Sequence, residues 1–218
     1  MDGIRGIAQE ALALLLASSC PGCDRVGTLL CDDCRRILVA DPVRTTSPGG
    51  IDVHAALAYQ DVAARCIRRL KEEGATMLAR PLGLALRSVL AAQAPAGALI
   101  VPVPTGRAAY RRRGYRVPEL LVARAGFTPE RMLRAARRTG DQRGLGRADR
   151  ARNVAGSLRA VRPGGGREVV IVDDVVTTGA TLDEAARALR AAGFRPICAV
   201  ALAATPGRRD TREIQVNG

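Results

Sequence analysis

Residues 168–181 constrain the fold of this 218-residue chain more than any other stretch. Residues 169–172 are all β-branched, which is typical of a parallel strand buried on both faces. Two adjacent acids, Asp173 and Asp174, come next, and a short polar turn then leads into a run of good helix formers. A strand, a polar loop and a helix start in this order predict an anion site, because loop amides and the helix dipole both favour negative charge.

The turn supplies hydroxyl donors and a glycine; its residues are Thr177, Thr178, Gly179, Ala180 and Thr181. The hydroxyls suit phosphate oxygens, and the glycine lets the backbone approach a ligand or turn with positive φ. The two carboxylates cannot serve the phosphate itself, since like charges repel. They suit sugar hydroxyls or a divalent cation instead. An ordinary strand–turn–helix with a capping threonine is the alternative interpretation.

This segment resembles the phosphoribosyl-pyrophosphate (PRPP) binding motif of type I phosphoribosyltransferases. The resemblance implies that Asp173 and Asp174 contact the ribose 2′- and 3′-hydroxyls as the catalytic pair. It also implies that residues 177–181 hold the 5′-phosphate. Strand and helix patterns alternate along the chain, which predicts a mainly parallel sheet with its ligand at the carboxyl ends of the strands. We therefore expect an α/β fold of the type I phosphoribosyltransferase kind.

The patterns predict the following elements: strands at 53–59, 98–103, 169–172 and 197–203, and helices at 61–70, 77–92, 118–125, 129–137 and 182–192. Residues 41–50 are rich in Pro, Gly, Ser and Thr and indicate a linker. We expect two units: an amphipathic helix with a cysteine module at 1–45, and a phosphoribosyltransferase-like domain at 50–218. Apolar residues at helical spacing in 1–19 favour that helix over a signal peptide. No stretch reaches the roughly 18 apolar residues of a membrane span, so no membrane insertion is expected.

Four cysteines near the start form the spacing C-x2-C-x7-C-x2-C and are Cys20, Cys23, Cys31 and Cys34. Two such pairs predict a structural Zn²⁺ site with four thiolate ligands. The turn at Pro21-Gly22 would aim both sulfurs of the first pair at one ion. An iron–sulfur cluster and two disulfides are the alternatives; disulfides fit poorly with the cytoplasmic location that we expect.

The net charge of +13 is unevenly distributed, because residues 104–162 contain 16 arginines and four acids. Such a block attracts nucleic acid or a pyrophosphate-bearing substrate, and a solvated helix face is the alternative. A basic loop with Arg107 follows the strand at 98–103 and suits a second phosphate site. The polar segment 138–153 suits a mobile loop over a charged substrate, and exposed surface is again the alternative.

Nearly the whole chain resembles the ComF (competence protein F) family of phosphoribosyltransferase-like proteins. Besides the cysteines and the PRPP motif, the resemblance rests on Leu70-Lys71-Glu72-Glu73-Gly74, Val101-Pro102-Val103-Pro104, Arg113-Gly114-Tyr115 and the set Arg138, Thr139, Gln142, Leu145, Arg150 and Asn153. The only lysine, Lys71, falls where the family carries lysine. The family continues Arg-Gly-Phe with Asn-Gln, whereas this chain has Arg116-Val117 after Tyr115, so no contact is carried over to those two positions.

Two functions follow from the resemblance. As an enzyme, the protein would transfer phosphoribose from Mg²⁺-PRPP to a nitrogen acceptor, with Lys71 and Arg107 among the PRPP-binding residues. As a non-catalytic competence factor in DNA uptake, it would bind single-stranded DNA, PRPP or a helicase partner. Scarce aromatics argue against base stacking on a single strand. The chain has no aromatic residue after Phe194, which argues against a purine acceptor. The fold class also suggests a homodimer.

Overall fold

The computed structural model describes residues 18–136 and 154–206. The expected N-terminal helix and the segment 138–153 therefore lie outside the described residues. Within those residues no helix is both long and apolar enough to cross a membrane.

The centre of the molecule is a five-stranded sheet in the order β1-β2-β7-β6-β3. Its strands are β1 (Val43–Thr46), β2 (Asp52–Ala58), β3 (Leu99–Pro102), β6 (Glu168–Val176) and β7 (Arg195–Ala204). β1 pairs antiparallel with β2, and every other pair is parallel. A separate antiparallel pair contains β4 (Leu133–Ala135) and β5 (Leu158–Ala160). The mainly parallel sheet is the one that the alternating pattern predicts.

The described residues form six α-helices: α1 (Asp32–Ile37), α2 (Asp61–Arg68), α3 (Ala79–Gln93), α4 (Arg107–Arg113), α5 (Val117–Arg124) and α6 (Ala180–Ala191). A wide π-turn, Arg69–Glu73, continues α2, and a 3-10 turn, Thr76–Leu78, precedes α3. The helices cover both faces of the sheet, so the valines of β6 are buried on both sides. Val170 and Val172 pack towards α3 and α5, and Val169 and Ile171 pack towards α6.

Three local predictions were wrong. The expected linker at 41–50 contains strand β1, whose β-branched residues pair with β2. The expected helix at 129–137 contains strand β4, because its backbone pairs with β5, more than twenty residues further along the chain. The basic loop after β3 is helix α4, which ends at Gly114 with φ of 80°. In addition, β6 continues through both acids to Val176 rather than ending at them.

Candidate functional site

The two acids lie side by side in β6, level with the carboxyl end of β3, where Pro102 pairs with Val172. Neighbouring residues of a strand point to opposite faces of the sheet. Asp174 is buried and lies on the face of α2, where the Lys71 Nζ is 2.9 Å from its Oδ1. The Asp174 amide donates a hydrogen bond of 2.8 Å to Asp173 Oδ1. The structure thus brings together three of the predicted site residues.

Burial and the neighbouring Asp174 carboxylate raise the pKa of Asp173 to about 7, although the Asp174 amide and Lys71 act in the opposite direction. A carboxyl with such a pKa retains a proton near neutrality until a ligand favours its charged form. Sugar hydroxyls donating to it, or a cation beside it, would supply that stabilisation. A strongly shifted carboxyl at the carboxyl end of a parallel strand is a reasonable marker of a ligand site.

The predicted phosphate loop follows β6 directly and opens α6 at Ala180. Gly179 adopts φ of 79°, a left-handed conformation that favours glycine. A Cβ on Gly179 would also lie 3.0 Å from the Cβ of Ser47, so the position is tightly packed. The first amides of a helix lack intrahelical partners, and this is the physical basis of the predicted anion site at the start of α6.

The turn between β1 and β2 packs against this loop, a contact that the sequence does not predict. The Ser47 hydroxyl and the Gly49 amide both donate to the Asp183 carboxylate in the first turn of α6, the latter over 2.9 Å. A cavity of about 350 Å³ lies between β1 and the phosphate loop and is lined by residues of both. An acid in the first turn of a helix was the only local signal of this contact.

Lys71 is presented by the π-turn that continues α2. The turn ends at Gly74, which has φ of 73°, and the Leu70 side chain anchors it in the core. Two side chains from the end of α4 reach the turn: the Tyr115 hydroxyl donates to the Leu70 carbonyl, and Arg113 Nε donates to the Lys71 carbonyl. Both residues belong to the Arg113-Gly114-Tyr115 segment of the family resemblance, but no pattern in the sequence predicts these contacts.

Arg107 is the first residue of α4, five positions beyond the end of β3. Its side chain is exposed, as are those of Arg111 and Arg112. Within residues 18–136 and 154–206, none of these three arginines forms an ion pair with an acid. Helix α4 therefore carries positive charge that no acid of the described residues neutralises.

The four predicted metal-ligand cysteines converge, with all their sulfur atoms within 4.8 Å of one another. The Cys31 Sγ is 3.7 Å from that of Cys20 and 3.6 Å from that of Cys23. A tetrahedral Zn²⁺ with Zn–S bonds of about 2.3 Å places its sulfurs about 3.8 Å apart, so the residues fit this ion. Burial raises the pKa of the Cys20 thiol, but amide donors led by that of Cys31 outweigh it and lower the pKa to about 6.

Gly22 allows this convergence, since a Cβ there would lie 2.6 Å from Cys34 Sγ. The predicted tight turn in the first cysteine pair thus has a steric basis. The module is attached to the domain at α2, because Val62 packs against the cysteines. Asp24 also pairs with Arg69 over 2.6 Å, at the first residue of the π-turn.

A second, more apolar cavity of about 510 Å³ lies between the end of α1 and the C-terminal half of α3. None of the predicted site residues lines it. The candidate site is therefore assigned to the acid pair and the phosphate loop, where charge and donors converge.

A sequence model of the phosphoribosyl transferase domain family matches residues 123–216. Competence protein F of Haemophilus influenzae is 34% identical over 129 residues, which are 55% of this chain and 56% of that protein. Glutamine PRPP amidotransferase from B. subtilis matches with 21% identity and a TM-score of 0.38, over 57% of this chain and 26% of that one. Orotate phosphoribosyltransferase from Aeropyrum pernix matches with 19% identity and a TM-score of 0.35, over 77% and 75%.

The chain spans about half the length of the curated relative that it matches. The family match and that relative confirm the predicted resemblance to the ComF family. The family match, the mainly parallel sheet and the cysteine cluster confirm the predicted fold class with its small N-terminal module.

Proposed function

We propose that this protein binds PRPP, or a related ribose phosphate, with Mg²⁺ at the carboxyl ends of β6 and β3. One observation carries the proposal: only Val175 and Val176 separate the acid pair from the phosphate loop, and the Lys71 Nζ is 2.9 Å from Asp174. Asp173 and Asp174 would orient the ribose hydroxyls, and residues 177–181 would hold the 5′-phosphate through amides and hydroxyls. Lys71 and Arg107 would attract the pyrophosphate group.

The reaction that suits this arrangement is transfer of phosphoribose to a nitrogen acceptor with release of pyrophosphate. The bond from the anomeric carbon to pyrophosphate would break as a bond from that carbon to nitrogen forms. Fixed ribose contacts would lower the barrier by positioning, and positive side chains would stabilise the charge that grows on the leaving group. Mg²⁺ would supply further charge neutralisation when bound with the substrate.

Calorimetric titration of Mg²⁺-PRPP into the zinc-loaded protein tests this proposal. We expect micromolar binding that is lost in the Asp173→Asn/Asp174→Asn variant. The variant Asp32→Asn/Asp33→Asn removes the same charge from two adjacent, exposed aspartates in α1 and is the matched control. The zinc content of every variant is measured first. Absence of binding by the folded wild type, or equal loss in the control, would reject the proposal.

A second candidate function is non-catalytic binding of single-stranded DNA in competence, with a helicase as a further partner. The uncompensated charge of Arg107, Arg111 and Arg112 on α4 favours it, since exposed arginines bind phosphates. Fluorescence anisotropy with a labelled oligonucleotide over a range of salt concentrations would test it. We expect Arg111→Gln/Arg112→Gln to weaken binding and reduce its salt dependence. Arg80→Gln/Arg87→Gln, the same charge change on α3, is the control; equal effects would contradict the candidate.

The wider organisation belongs to the same proposal. We place a cysteine module that binds Zn²⁺ in residues 1–45 and the ligand-binding domain in residues 50–218, in a cytoplasmic protein. Strand β1 lies across this boundary, because its residues belong to the sheet of the domain. The spacing and the convergence of the four cysteines support zinc as the ion, and their packing against Val62 of α2 supports a structural role.

A further inference from the structure

The π-turn that carries Lys71 ends in backbone carbonyls that the helix itself cannot satisfy. The last carbonyls of any helix lack intrahelical donors. Here the amide of Ala75 bonds the Arg69 carbonyl over 3.2 Å, and the next two carbonyls are those of Leu70 and Lys71. They accept from Tyr115 and Arg113 instead.

These two donors suit their acceptors. Burial raises the pKa of the Tyr115 phenol, so its hydroxyl stays a hydrogen-bond donor at neutral pH. The Arg113 guanidinium brings positive charge to the carboxyl end of a helix, where the helix dipole favours it. One short segment supplies both donors, because Gly114, which lies between them, turns the chain with φ of 80°.

We propose that Arg113 and Tyr115 are positioning residues for Lys71. By capping the turn on both carbonyls, they fix the backbone from which the Lys71 side chain reaches Asp174 at 2.9 Å. They also tie that backbone to the end of α4, whose first residue is Arg107. The cap therefore sets the distance between the two cationic groups that would receive pyrophosphate, Lys71 and Arg107. This inference rests on the proposed function, which it deepens by assigning two residues that act through another side chain.

Tyr115→Phe tests the cap, since it removes one hydroxyl and keeps the ring in place. We expect about a fivefold loss of affinity for Mg²⁺-PRPP in calorimetry. In the Lys71→Met background the same change should alter affinity by less than about twofold, because the residue acts through Lys71. Tyr110→Phe, in the preceding helix α4, is the matched control and should leave affinity unchanged. A further variant, Arg113→Lys, keeps the charge and should retain more affinity than Arg113→Gln.

A general structural role would give a different result. Tyr115→Phe would then weaken binding equally with Lys71 and with Met at that position, and this outcome overturns the inference, as does unchanged affinity in Tyr115→Phe itself. Amide hydrogen exchange separates the inference from the proposed function, because it needs no ligand. Exchange in a peptide covering residues 69–78 should become at least tenfold faster in Tyr115→Phe and stay unchanged in Tyr110→Phe. If the wild type binds no PRPP, the proposed function fails, and amide exchange alone tests the cap. An unchanged exchange rate of residues 69–78 in Tyr115→Phe would then reject the cap.

Discussion

The ion pair between Lys71 and Asp174 should make a measurable contribution to stability. Lys71→Met leaves the Asp174 carboxylate without its partner, and that side chain is only 12% exposed. At the observed 2.9 Å, Coulomb's law gives about 1.4 kcal/mol in water and about 6 kcal/mol at an effective dielectric constant of about 20. The lysine side chain is 27% exposed, so water screens the pair and we expect a coupling energy of about 2 kcal/mol.

A double-mutant cycle with Asp174→Asn isolates this energy from other effects of each change. Asp174→Asn alone removes repulsion from Asp173, so its single effect will not equal the pair energy. The free energies of unfolding of the four zinc-loaded proteins are measured in urea at pH 7.5. We expect the double variant to be about 2 kcal/mol more stable than the sum of the single effects predicts. Additive effects, within about 0.5 kcal/mol, would refute the argument that this pair is coupled through its partial burial.

Two further perturbations test the metal module and the acid pair. Gly22→Ala places a Cβ 2.6 Å from Cys34 Sγ, so we expect its zinc content, measured by atomic absorption, to fall below half of the wild-type value. In the control Gly106→Ala the Cβ would meet nothing within 4 Å, and this variant should keep its full zinc content. Equal zinc content in the two variants would contradict the steric argument. The raised pKa of Asp173, about 7, means that the folded state binds an extra proton between about pH 4 and pH 7 and that stability falls as pH rises through this window. Asp173→Asn removes that loss, so the stability of this variant relative to wild type should increase by about 1–2 kcal/mol from pH 5 to pH 8, a range that allows for solvent screening. Urea unfolding of both proteins at the two pH values measures this change. A difference in stability that is the same at both pH values would show that the pKa of Asp173 is not raised.

The sequence predicted the parts of the site that are local in the chain. Composition predicts a buried strand at the valines of β6, and the structure has a strand there, although it continues through the acids to Val176. The cysteine pairs were likewise readable from their spacing, because each pair is a local turn.

What the sequence did not predict depends on partners that are distant in the chain. Lys71 and Asp174 are separated by 103 positions, and no local pattern records their pairing. Strand β4 resembled a helix because its identity depends on pairing with β5. Strand β1 resembled a linker for the same reason, since its hydrogen bonds go to β2 and its turn docks on Asp183. Composition predicts tertiary contacts of this kind poorly.

The attachment of the cysteine module to α2 has a thermodynamic consequence. Val62 touches the cysteines near the start of this helix, and Lys71 lies just beyond its end, where Asp24 of the module holds Arg69. If Mg²⁺-PRPP binds through Lys71, then metal and ligand share one structural element, and their affinities are linked reciprocally. A chelator would then weaken PRPP binding, and PRPP would strengthen the equilibrium binding of zinc by the same free energy. Every PRPP affinity measured with a preparation would then depend on the zinc content of that preparation.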